Sequence, residues 1–160
     1  VFLGPIIDEC TVILAQRLKD IRLEVDCDSA ISMDCKRSEI GQILMNLLSN
    51  AADAIRGSDV GERSLIRVSV ESFLDEAGRP FIRLCVSDSG PGIAEELVEK
   101  VLEPFYTTKA VGVGTGLGMS IVMKIVQAHD GKVSIQNCRE LGGAAIVVLL
   151  PQRGVDEAEV

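Results

Sequence analysis

The sequence predicts an α+β fold, a two-layer sandwich in which helices cover one face of a single sheet. Apolar residues recur at helical spacing in three segments, 6–18, 36–56 and 117–129. Strand-like runs at 64–73 and 81–88 are separated by a polar turn, which predicts two antiparallel strands. With 160 residues and 47% apolar content, the chain is the size of one such domain.

The other predicted elements are shorter. Residues 21–25 alternate apolar with charged side chains, 31–34 form a second strand candidate, and the polar residues between them predict a hairpin. The remaining predictions are a helix at 94–102, a glycine-rich loop at 104–116, strands at 132–136 and 144–150, and an acidic tail at 152–160.

Composition excludes several function classes. The net charge of −8 argues against a broad nucleic-acid or anionic-membrane surface. The five cysteines include no C-x-x-C pair, so neither a zinc site nor a disulfide framework is indicated, and we expect reduced thiols in a cytoplasmic protein. No apolar run reaches the roughly 18 residues that a membrane span needs. Because the chain begins at Val1 without Met, we expect it to be a piece of a longer protein.

Two asparagines on the predicted helix 36–56 form the first candidate site. Asn46 and Asn50 are four residues apart, so their side chains project from one face about one turn apart, and Asp53 lies on the same face. Amide oxygens are neutral hard ligands that suit Mg²⁺, and Asn50 is our candidate metal ligand. Solvated or capping asparagines are the alternative.

The second candidate site is the segment from Asp88 to Gly92, at the end of a predicted strand. A carboxylate there can accept a hydrogen bond from the amino group of adenine, whereas guanine has a carbonyl at that position. Gly90 and Gly92 permit a close approach of a base to the backbone. An ordinary turn after a strand is the alternative.

The third candidate site is the glycine-rich run from Gly112 to Gly118, which leads directly into the predicted helix at 117–129. Such a helix start presents backbone N–H groups and the positive end of the helix dipole to a phosphate. Lys109, just upstream, is a candidate cation for the γ-phosphate. A flexible linker and a surface lysine are the alternatives.

The order of these motifs resembles the ATP-binding catalytic domain of sensor histidine kinases, within the superfamily of gyrase, the heat-shock-ninety chaperones, histidine kinases and MutL. The resemblance covers about residues 5–151. The matching motifs are Asn46 to Ala51, Asp88 to Gly92, Phe105 to Lys109, Gly114 to Gly118, and Gly142-Gly143-Ala144. Residues 105–109 look like the version found in nitrogen-regulation-type kinases.

The resemblance implies the Bergerat ATP-binding fold at 1–151, with a mixed, mostly antiparallel sheet, and a lid at 104–116. It implies ATP and Mg²⁺ as cofactors, with Mg²⁺ at Asn50, and Asn46, Asn50 and Lys109 as catalytic residues. The implied nucleotide-binding residues are Asn50, Asp53, Asp88, Gly90, Gly92, Ile93, Phe105, Thr107, Thr108, Gly114, Thr115, Gly116, Leu117, Gly118 and Gly143.

The chain departs from the family at Asp53, where many such kinases carry a basic residue. Lys109 or Arg56 could supply the phosphate contact instead, or Asp53 could support metal-bound waters. We expect the helical dimerisation domain with its phosphoacceptor histidine to lie outside this chain, and we expect His129, at a predicted helix end, to have a structural role instead. The chain would therefore phosphorylate a histidine of a separate domain, with a response regulator downstream.

Two other functions remain as alternatives. An ATP-hydrolysing clamp of the gyrase or MutL type needs a glutamate four residues before the metal asparagine, and Asn46 stands there. An amide cannot accept a proton near neutral pH, so this position disfavours hydrolysis. A nucleotide-sensing pseudokinase module is the other alternative.

Overall fold

The computed structural model describes residues 1–57, 64–94, 96 and 117–152. The helices in these ranges are α1 (Leu3–Ile13), α2 (Arg37–Arg56) and α3 (Leu117–Ala128). The strands are β1 (Arg22–Cys27), β2 (Leu65–Leu74), β3 (Pro80–Asp88), β4 (Lys132–Asn137) and β5 (Ala144–Pro151). The helix predicted at 94–102 and the loop predicted at 104–116 lie, apart from Ala94 and Glu96, outside the described residues, as does 153–160 of the predicted tail.

The strands form one sheet in the order β1-β2-β3-β5-β4. β1 runs parallel to β2, and the other neighbouring pairs are antiparallel. The mixed, mostly antiparallel sheet is therefore confirmed. Because β3 lies at the centre, Asp88 at its carboxyl end is flanked by the start of β5 and by β2, where Ile66 is its partner.

The two faces of the sheet differ as the prediction requires. Alternate side chains of the central strands, such as Ile82 and Leu84, are fully buried in one cluster with the apolar stripes of the helices. The opposite face holds a small separate cluster of Cys85, Ala145 and Val147, which contains no helical residue in the described part of the chain. The helices thus cover one face.

Helix α2 is the element whose position the sequence predicted best. Its eight buried residues, from Ile40 to Ile55, recur at helical spacing, and it ends at Arg56 with Gly57 as its C-cap. Helix α3 ends at Ala128, where Asp130 adopts a left-handed φ of 57° and the Gly131 N–H donates to the carbonyl of Val126. His129 follows the helix end, and its Nε2 lies 2.8 Å from Glu39 Oε2 at the start of α2.

Two predictions about the first 35 residues are wrong. The hairpin predicted from 21–25 and 31–34 does not form, because β1 pairs in parallel with β2 and Ser32 makes only an isolated bridge with Phe2. The first helix runs over 3–13 rather than 6–18, and hydrogen-bonded turns follow it. Leu14 and Leu18 are nevertheless buried. Their apolar spacing therefore indicated burial and not a continuation of the helix.

None of the helices in the described part of the chain is long and apolar enough to cross a membrane.

Candidate functional site

The carboxylate of Asp88 lies at the centre of the candidate site. The residue is 6% exposed, and its Oδ1 accepts hydrogen bonds from the N–H groups of Gly90 (2.8 Å) and Ala144 (3.4 Å). Burial raises the pKa of this carboxyl, although the two N–H donors oppose the shift. Among the described residues, none donates to Oδ2. One oxygen is thus fixed by the backbone, and the other could accept a hydrogen bond from a ligand N–H.

Two glycines allow the chain to pass close to this carboxylate, and a third takes a backbone conformation that favours glycine. A Cβ at Gly143 would overlap Oδ1 and the carbonyl oxygen of Asp88, and it would lie 2.7 Å from the nitrogen of Gly90. A Cβ at Gly90 would lie 2.9 Å from Oδ1 and 3.1 Å from the backbone of Ala54 on α2. Gly92 has a φ of 77°, which L side chains rarely adopt. Only glycine fits this backbone without displacing it.

Asn46 and Asn50 lie opposite the start of α3. An ideal Cβ on Gly118 would be 3.9 Å from the Oδ1 atoms of both asparagines, so both amide oxygens are directed towards the first turn of that helix. The Nδ2 atom of Asn46 is buried and has no hydrogen-bond partner in the described part of the chain. Two hard amide oxygens beside a helix N-terminus suit a divalent cation together with an anionic ligand.

The structure therefore brings together the asparagine pair, the Asp88 segment, Gly118 and Gly143. The predicted residues Phe105, Thr107, Thr108, Lys109, Gly114, Thr115 and Gly116 lie outside the described residues, as does the side chain of Leu117.

Asp53 belongs to this helix face but already has a charged partner. Its Oδ1 accepts a bond of 2.6 Å from Arg17 Nη2, in the segment after α1. Arg56, the alternative phosphate contact, donates through Nη2 to the carbonyls of Gln16 (3.1 Å) and Arg17. Arg56 thus serves to hold the chain after α1 against α2.

Asn137, on β4, is a residue of the site that the sequence did not reveal. Its Oδ1 accepts from the Ile93 N–H and its Nδ2 donates to the Ile93 carbonyl, both at 2.8 Å. A Cβ at Gly92 would lie 2.7 Å from the same Oδ1. Ile93 is 44 residues away, so no local pattern could have indicated the contact. Asn137 holds the segment that follows Asp88 in the manner of a neighbouring strand.

Replacing Asn137 by Ala is expected to lower the free energy of unfolding by about 1–2 kcal/mol, because two hydrogen bonds are lost. The amide hydrogen of Ile93 should also exchange with solvent about tenfold faster, since its acceptor is gone. Native-state hydrogen exchange and denaturant unfolding measure both effects. Gln136→Ala, at the exposed neighbouring position, is the matched control. Unchanged Ile93 exchange in Asn137→Ala would contradict this role.

Comparisons with known proteins show the family to which the chain belongs. Residues 35–154 match the model of the family described as histidine kinase-, DNA gyrase B-, and HSP90-like ATPase. The chain is 35% identical over 149 residues to the two-component sensor PprA of Pseudomonas aeruginosa, a match that covers 91% of this chain and 16% of that protein. It is 33% identical over 131 residues to the sensory histidine kinase/phosphatase NtrB of Rhizobium leguminosarum, covering 76% of this chain and 33% of that protein.

Among solved structures, the catalytic domain of histidine kinase ThkA is similar, with a TM-score of 0.75 and 32% identity. The match covers 96% of this chain and 94% of that domain. The chain therefore corresponds to nearly all of one catalytic domain, while it spans a third or less of the two curated relatives.

Proposed function

Because the chain belongs to the family of histidine kinase-, DNA gyrase B- and HSP90-like ATPases, we propose that it binds Mg-ATP and transfers the γ-phosphate to a histidine of a separate helical domain. The buried carboxylate of Asp88 gives this proposal its strongest support. Glycines surround it, and on the neighbouring helix two amide oxygens point towards the start of α3.

Asp88 would recognise the adenine amino group through Oδ2. Gly90, Gly92, Ile93 and Gly143 would shape the pocket for the base, because side chains at the glycines would displace the atoms packed around Asp88 and Asn137. A base with a carbonyl at that position, such as guanine, would face a carboxylate acceptor and be repelled. We therefore expect the chain to prefer ATP to GTP.

Asn50 would bind the metal, and the first turn of α3 would offer backbone N–H groups to the phosphates. Magnesium, when bound, neutralises charge on the phosphate oxygens. Phosphoryl transfer depends mostly on positioning and charge neutralisation, so this half of the site can suffice when another domain brings the acceptor. The predicted lid residues, including Lys109, would complete the phosphate contacts.

Asn46 supports transfer rather than hydrolysis. Its Oδ1 lies close to the start of α3, as that of Asn50 does. The resemblance to gyrase and MutL implies a general base at this position, and an amide cannot accept a proton near neutral pH. The chain would then act as a kinase domain in two-component signalling, on the cytoplasmic side, with a response regulator as the downstream partner. It would make no contact with nucleic acid or with a membrane surface.

The proposal is tested with γ-labelled ATP and magnesium, using the chain alone and the chain together with the helical domain that we expect in its parent protein. Label should appear only on the added domain. Rapid phosphate release by the chain alone would favour a hydrolysing clamp. Tight ATP binding without labelled product would favour a nucleotide-sensing module. Either result would overturn the proposed transfer.

Asn50→Ala is expected to remove the magnesium dependence of ATP binding, because the amide oxygen is the proposed ligand. In the unmodified chain, magnesium should tighten ATP binding by about tenfold or more, and in the variant the ratio should approach one. Isothermal titration with and without magnesium measures this ratio. Gln42→Ala, an exposed amide on the same helix, is the matched control. A retained magnesium effect in Asn50→Ala would exclude Asn50 as the ligand.

A further inference from the structure

Three charged residues form a cluster between α2 and the segment that follows α1. Arg17 donates to Asp53 across 2.6 Å, and the two side chains are 45% and 13% exposed. Arg56 donates to the backbone carbonyls of Gln16 and Arg17. The backbone and the side chain of Arg17 are therefore both tied to α2, close to the carboxyl end of the helix.

The position of this cluster relates it to the candidate site. Asp53 follows Asn50 by three residues, and side chains at that helical spacing are neighbours on one face. A bare carboxylate beside Asn50 would repel the phosphates of a nucleotide. The Arg17 guanidinium cancels that charge. Nη2 makes the hydrogen bond to Asp53, and a guanidinium also carries N–H donors on two further nitrogens.

The two partners differ in exposure, because Arg17 is 45% exposed whereas Asp53 is only 13% exposed. The pair therefore compensates the charge of a largely buried carboxylate and leaves part of the guanidinium in contact with solvent, where a ligand can reach it. A guanidinium in a fixed orientation suits bidentate binding of phosphate oxygens. Because Asp53 already holds the Arg17 side chain in place in the free protein, the entropic cost of ordering this side chain on phosphate binding would be smaller.

We propose that Arg17 binds the phosphate groups of the nucleotide, with Asp53 as its positioning residue and Arg56 holding its backbone in place. This inference rests on the proposed function and adds to it a cation from outside the helix that carries the asparagines. Arg17 would approach the phosphates from the side of the α1–β1 connection.

The test compares two arginines. Arg37 forms a similar ion pair, with Glu9 of α1 at 2.7 Å, and its side chain is also 45% exposed, but it lies at the opposite end of the 20-residue helix α2. Arg17→Gln is expected to weaken binding of Mg-ATP by about tenfold, the usual effect of losing a charge-assisted hydrogen bond. Arg17→Lys should retain part of the affinity, and Arg37→Gln should leave it within about twofold.

Measuring adenosine binding distinguishes a phosphate contact of Arg17 from a structural role of Arg17. Arg17→Gln should leave adenosine affinity within about twofold, because adenosine carries no phosphate. The affinity for Mg-ATP should also fall less steeply with added salt in Arg17→Gln than in the unmodified chain. Asp53→Asn removes the partner that orients Arg17, so the effect of Arg17→Gln on Mg-ATP affinity should be smaller in the Asp53→Asn background than in the unmodified chain.

Equal effects of Arg17→Gln and Arg37→Gln on Mg-ATP affinity would overturn the inference. So would an equal loss of ATP and adenosine affinity in Arg17→Gln, which indicates a disturbed fold. These outcomes differ from failure of the proposed function, in which the unmodified chain itself would not bind Mg-ATP.

Discussion

Replacing Asp88 by Asn is expected to weaken ATP binding on the order of 100-fold while leaving the folded chain at least as stable as before. The amide of Asn can still accept the N–H groups of Gly90 and Ala144 through Oδ1, so the local backbone keeps its hydrogen bonds. Its NH₂ group, however, would lie against the adenine amino group, and because both groups are donors no hydrogen bond could form between them. Titration with ATP and with GTP measures the loss, and the preference for ATP should disappear.

The raised pKa of Asp88 gives this prediction a second readout. A carboxyl whose pKa is higher in the folded than in the unfolded state contributes stability that is fully present below the unfolded pKa. That contribution is lost as the pH rises through the folded pKa. Asn does not titrate, so the stability of Asp88→Asn relative to the unmodified chain should increase as the pH rises from the ordinary aspartate range through the raised pKa.

The control is Asp26→Asn, which neutralises an exposed carboxylate on the edge strand β1. It should change neither ATP affinity nor the ATP preference. If Asp88→Asn binds ATP as tightly as Asp26→Asn does, adenine recognition by this carboxylate is excluded. If Asp88→Asn unfolds, the carboxylate has a structural role that the hydrogen bonds do not explain.

Replacing Gly143 by Ala is expected to lower the free energy of unfolding by about 3 kcal/mol and to weaken ATP binding strongly. The new methyl group would overlap two oxygens of Asp88, and the nearest backbone nitrogen, that of Gly90, would be 2.7 Å away. Backbone atoms cannot rotate aside as a flexible side chain can. The start of β5 must therefore move away from the end of β3.

Gly41→Ala is the matched control, because a Cβ at this α2 position would meet nothing within 4 Å. Alanine is favoured over glycine inside a helix, so this variant should gain about 0.5–1 kcal/mol. Denaturant unfolding compares the two substitutions directly. A loss below about 1 kcal/mol in Gly143→Ala would show that the Asp88 segment has room for a side chain.

The sequence predicted best those features that depend on neighbouring residues. Helix α2 was found to within one residue, since its apolar stripe is long and Gly57 marks its end. The paired strands β2 and β3 were also predictable, because a short polar turn joins them.

Features that depend on distant residues were missed. The partner of β1 is β2, which begins at Leu65, more than 40 positions after Arg22, so the alternating pattern identified a strand but not its neighbour. Ile31 and Met33 are buried as an alternating strand would require, yet only Ser32 between them forms a bridge.

The contacts of the candidate site were likewise predictable where they are local in sequence and were missed where they join distant residues. Asp88, Gly90 and Gly92 lie in a segment of five residues, so their local geometry could be argued from residue types alone, whereas the close approach of Gly143 involves a distant part of the chain. The contact of Asn137 with Ile93 and that of Arg17 with Asp53 join positions 44 and 36 residues apart. Asp53 shows most clearly what the sequence could not predict. Its partner, Arg17, lies in a segment that the apolar pattern had assigned to a longer first helix.

Adenine recognition by Asp88 and metal binding by Asn50 together define the proposed nucleotide site. A crystal structure of the chain with magnesium and a non-hydrolysable ATP analogue would show both contacts. The adenine amino nitrogen should lie about 3 Å from the Asp88 carboxylate, and the metal about 2.1 Å from Asn50 Oδ1. A base bound away from Asp88, or a metal held without Asn50, would exclude the proposed roles of these two residues.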